Sequence, residues 1–111
     1  MKLIDLEAEF IKATGANSFL RIESLADADG ILFVYPKRYA ELGQRAGAHS
    51  VICWFRGKVP DDRTPGPGRW TPQGTGLSDL TFVPGDPPMA VSVLLTAGCG
   101  WHGFVTNGEA A

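Results

Sequence analysis

The sequence is poor in cysteine and histidine and has no long apolar run. Its longest uninterrupted apolar stretches, Ile31 to Tyr35 and Val51 to Phe55, are five residues each. A helix that spans a bilayer needs about 20, so that class is excluded. The first residues, Met1-Lys-Leu-Ile-Asp-Leu-Glu7, turn acidic at once and carry no signal-peptide core. The expected location is therefore cytoplasmic. Two cysteines, Cys53 and Cys99, are too few for a disulfide framework, and a reducing cytosol keeps such residues as thiols. No internal repeat is visible. The sequence also lacks basic residues after Arg69.

What is present fits one small domain of 111 residues with an ordinary balance of 44 % hydrophobic and 20 % charged residues. Glycine (14) and proline (8) are abundant, which favours turns and short strands over a helix bundle. The net charge is −2, yet seven of the ten basic residues lie between Lys37 and Arg69, opposed there by three acidic ones. A basic segment of this kind fits an acidic partner or plain solvated loop charge. Solvated charge is the better reading, because a pI near 5.6 argues against a dedicated nucleic-acid binder.

Period-two or continuous β-rich patterning predicts strands at Leu6–Phe10, Phe19–Glu23, Ile31–Tyr35, Ser50–Phe55, Leu80–Val83, Ala90–Thr96 and Trp101–Thr106. The first of these also fits a short helix through Leu3, Leu6 and Phe10. Thr14–Ser18 reads as a turn. Ser24 is placed to cap one helical turn that ends at Gly30. Pro36 suits the first position of a helix running through Lys37 to Leu42. Residues 57–76, with five glycines and four prolines, form a long irregular loop. Trp70 is its expected anchor to the core. Together these predict a small α+β domain: short antiparallel strands, one or two short helices and a long Gly/Pro-rich loop.

Three chemistries are open to the reactive residues. If the last two predicted strands form a hairpin with its tip near Ala97, Ser92 faces His102 within hydroxyl-to-imidazole reach. His49 could orient that pair, and the Gly98 and Gly100 amides could serve an oxyanion. A slip of one residue would put Ser92 and His102 on opposite faces. The second chemistry is zinc held by His49, Cys53, Cys99 and His102. Its spacing is poor, because His49 and Cys53 on one extended strand lie about 13 Å apart. The third is a cysteine nucleophile, Cys99 with His102, which point to opposite faces of a continuing strand and meet only across a tight turn. Apart from catalysis and metal, binding alone through Arg56, Lys58, Arg63 and Trp70 is the other role open. For each histidine taken singly, a structural role is the commoner one. Cys53, between Ile52 and Trp54, reads as a small core hydrophobe.

Several stretches resemble a family of small phage and bacterial proteins catalogued as domain of unknown function 6527. They are Gly30–Pro36, Ala48–Phe55, Pro65–Trp70, Gly74–Leu80 and Cys99–Gly108, so the likeness runs over about residues 30–108. The Cys99-x2-His102 element with Asn107-Gly108 after it is the most specific part. The resemblance implies a peptidase-like hydrolase of ubiquitin-like modification operons, with Ser92, His102 and the upstream His49 at the catalytic positions. The chain departs from the family at Tyr35-Pro-Lys-Arg38, where close relatives carry Cys-Pro-x-Cys, and this removes half of a zinc site. The leading expectation is therefore a Ser/His-type hydrolase acting on a peptide or isopeptide bond, with a protein substrate such as a ubiquitin-like protein and no cofactor. The alternatives are a phage-type protein that binds a host defence component, and a zinc-stabilised module.

Overall fold

The computed structural model describes residues 1–36, 50–66, 68–94 and 101–111. Four strands build the main sheet: β1 (Glu9–Ala13), β2 (Phe19–Ile22), β3 (Gly30–Phe33) and β4 (Val51–Trp54). Their order is β2-β1-β3-β4, all antiparallel. Three two-stranded ribbons follow: β5 (Thr71–Gln73) with β6 (Thr81–Val83), β7 (Val93–Leu94) with β8 (His102–Gly103), and β9 (Val105–Thr106) with β10 (Glu109–Ala110).

Strand register explains which side chains are buried. Ile22, Phe10, Ile31 and Cys53 stand in one row across the sheet, and Phe33 pairs with Val51 beside it. These residues share one face and, with Leu3, Leu6, Phe55, Leu80, Phe82, Val93, Trp101 and Val105, form the principal core. The next row, Ile11, Gly30 and Trp54, points to the other face. There Ile11, Trp54 and Val59 form a second, smaller cluster. Gly30 leaves room for the Trp54 ring, because a Cβ at Gly30 would lie 2.8 Å from that ring and from the Cys53 carbonyl.

The fold is all-β rather than α+β. Among the described residues the complete helical elements are two 3-10 turns, Leu3–Asp5 and Leu25–Asp27. Ser24 precedes the second without a side-chain cap, and Gly30 opens β3 rather than closing a helix. The helix expected over Lys37 to Leu42 lies outside the described residues. The first strand sits later than the sequence pattern suggests, because Phe10 and Ile11 are both buried, on opposite faces, and both count as inward. Trp101–Thr106, expected as one strand, is two short ones, since Phe104 exchanges backbone hydrogen bonds with Ala111.

Within 57–76, Arg69 is the organiser. Its buried guanidinium donates to the carbonyls of Pro60, Asp61, Arg63, Pro65 and Gly68 at 2.7–3.3 Å. Its Nε is buried without a partner. Trp54 Nε1 donates to Thr64 O (3.0 Å), and the Arg63 guanidinium lies 4.8 Å over the Trp54 ring. The segment is therefore ordered by side chains donating to backbone, and it also contains β5, which Pro72 and the flanking glycines concealed in the sequence.

Candidate functional site

The β7–β8 ribbon carries the two reactive residues that can be placed, Ser92 and His102. Val93 and Gly103 face each other on the inner side. Val93 enters the core, and Gly103 lies against the Trp101 indole. A Cβ at Gly103 would run into that ring and come within 2.8 Å of Ala111 O. Trp101 itself stacks on Tyr35 (centroids 6.1 Å) and meets Phe33 edge-on (6.2 Å). With Trp101 and Gly103 held inward, the strand's alternation turns His102 out.

On that outer side Leu94 stands opposite His102. The His102 and Phe104 rings are 6.0 Å apart. Leu94 is 58 % exposed and Phe104 49 %. An aliphatic, an imidazole and an aromatic side chain thus form a continuous solvent-facing strip on short, well-anchored strands. The anchoring comes from Trp70, which stacks on Phe82 (5.8 Å) and donates from Nε1 to Ser92 O (3.2 Å), fixing the entry to β7.

The antiparallel pairing expected for these two segments is present, but its register differs by two residues. His102 faces Leu94, not Ser92. Counted along the same register, Ser92 stands across from Phe104 and diagonal to His102, a relation in which Cα atoms are about 7–8 Å apart. Ser92 and His102 share a side of the ribbon but are not hydrogen-bonded to each other. Residues 95–100, between the two strands in sequence, lie outside the described residues, and with them Gly98, Cys99 and Gly100, as does His49.

Cys53 is fully buried in the principal core, and burial pushes its thiol pKa well above the ordinary value. It is neither a nucleophile nor an accessible ligand there. Among the described residues no three His, Cys, Asp or Glu side chains gather to hold a metal ion.

The proposed binding residues are largely engaged within the fold. Arg56 Nη1 donates to Pro87 O. Arg63 donates to the carbonyls of Gly15 and Ser18. Trp70 is half-buried, whereas Lys58 is exposed. Leu94 and Phe104 were not singled out by the sequence pattern. The signal lay in the inward-outward order of Trp101, His102, Gly103, Phe104 and Val105, which is visible only once Gly103 is known to face the core. No family model, no curated protein and no solved structure matches the chain.

Proposed function

We propose that this is a protein-binding module whose contact surface is the Leu94–His102–Phe104 strip. The observation that carries the reading is the cross-strand alignment of these three solvent-facing side chains on a ribbon whose inner side is locked by Val93 and Trp101. Aromatic and aliphatic anchors presented from a rigid element lose little entropy on docking. A protein surface is the fitting partner class, since the strip is apolar and aromatic and Arg56, Arg63 and Arg69 each donate to backbone carbonyls of the fold. The resemblance to a phage and bacterial family makes a bacterial host protein the first to test. A photo-crosslinker at position 94 should capture one defined host protein, while one at Lys2 should not. The purified partner should then bind the wild type and lose at least about tenfold affinity, or 1.4 kcal/mol, to Leu94→Asp or Phe104→Ala. Equal binding by both variants would overturn the proposal.

A second reading, a Ser/His-type hydrolase, is favoured by the placement of Ser92 and His102 on one side of adjacent strands. Catalytic hydrogen bonds are often long before substrate arrives. A fluorophosphonate probe should label Ser92, and Ser92→Ala or His102→Ala should abolish the labelling. An unlabelled wild-type protein removes this reading.

A further inference from the structure

The two outer strands of the main sheet are treated differently by the rest of the chain. Beside β4, Trp70 N donates to Trp54 O (3.1 Å), Arg56 N donates to Trp70 O (2.8 Å), and Phe55 and Trp70 form a parallel bridge. That edge is covered. The edge at β2 has no such cover among the described residues.

The backbone groups that β2 presents follow from the ladder. Thr14 N donates to Ser18 O (3.1 Å). In an antiparallel pair hydrogen-bonded positions alternate, so the bonded pairs are Lys12 with Leu20 and Phe10 with Ile22. The pairs Ala13 with Phe19 and Ile11 with Arg21 are the unbonded ones. Consistently, Ile11 O and Ala13 N bond on the far side of β1, to Asp29 N and Asp29 Oδ2 (2.8 and 2.9 Å). The N–H and C=O groups of Phe19 and Arg21 therefore point outward. Between them stands Leu20, 58 % exposed. The strand has no proline and its register with β1 is unbroken, so it lacks two of the devices that normally blunt an edge.

We propose that β2 pairs antiparallel with β2 of a second copy of this chain, about a two-fold axis at Leu20. This register is self-complementary. Phe19 of each copy exchanges both backbone hydrogen bonds with Arg21 of the other, so all four outward groups are satisfied. The two Leu20 side chains meet at an unbonded position, where Cα atoms approach to about 4.5 Å. On the opposite face each Arg21 lies beside a Phe19 ring. Centring the axis on Arg21 would instead set two guanidinium groups opposite each other, which is unfavourable. The result is one continuous eight-stranded sheet across the two copies.

Sedimentation equilibrium of the whole chain into the high micromolar range should show a monomer–dimer equilibrium. Arg21→Pro deletes an outward N–H and spares the backbone bonds to β1, although it also removes the exposed Arg21–Glu9 ion pair. It should raise the dissociation constant at least about tenfold with an unchanged far-ultraviolet spectrum, whereas Arg21→Ala, which loses the ion pair alone, should leave the constant within about threefold. In a Cys99→Ser background, Leu20→Cys should oxidise to a disulfide-linked dimer, since about 4.5 Å lies within disulfide reach. Lys12→Cys, on the inner strand, should not. A monomer at every concentration overturns the proposal, and so does a dimer that Leu20→Cys fails to cross-link.

Discussion

Asp79 shows how one carboxylate fixes a loop. It accepts hydrogen bonds from the Thr75 and Gly76 amides (2.8 and 2.9 Å) and from the Thr75 hydroxyl (2.9 Å). Those three donors favour the charged form and hold its pKa below the ordinary aspartate range. A group with a lowered folded-state pKa stabilises the fold above its unfolded pKa, and loses that contribution as pH falls through the folded one. Protection of the Thr75 and Gly76 amides, taken relative to their intrinsic exchange, should therefore fall only in strong acid, below the ordinary carboxylate range. In Asp79→Asn that protection should be reduced already at neutral pH and should show no further loss in acid. Cys53 is the contrasting case. Its apolar neighbours Ile52 and Trp54 were enough to read it as a core residue, and the structure places it there. The pairing partner of His102 was not legible in the same way, because a hairpin's register is set by its turn geometry as well as by its strands.

At the scale of elements, the long loop and the last ribbon show two limits of pattern reading. Residues 57–76 read as irregular, yet they contain β5 and a guanidinium that holds five carbonyls. No periodicity signals an arginine bonding only to backbone. A lysine has a single ammonium and cannot span the same set. Arg69→Lys should cost about 2–4 kcal/mol in urea unfolding and open residues 60–68 to protease. Leaving the rate of cleavage unchanged would show that the carbonyls do not depend on this side chain. β10 was missed although its signal was present. Asn107 and Gly108 both have positive φ (50° and 75°) and join Thr106 to Glu109 as a two-residue turn. A Cβ at Gly108 would also collide with the Ser78 carbonyl, so only glycine fits there.

For the whole molecule, strand positions were largely legible from β-branched and aromatic runs, and the sheet order was not, since composition is silent on which strands are neighbours. The two halves of the chain meet at its ends. Leu3 N donates to Gly108 O and Ala110 N to Met1 O, both at 2.8 Å, and Lys2 bridges to Glu109. Leu3, Leu80, Val105 and Ala110 share the principal core. Deleting residues 107–111 should therefore abolish the cooperative thermal transition, not merely lower Tm. A truncated chain that still melts cooperatively would show that this end is dispensable.

That junction also orders events during folding. Met1 and Ala110 are 109 positions apart and bond to each other in both directions. Closing so long a loop on its own carries an entropic cost that two or three hydrogen bonds do not offset, so the seam zips shut only after the sheet between its two sides has drawn them together.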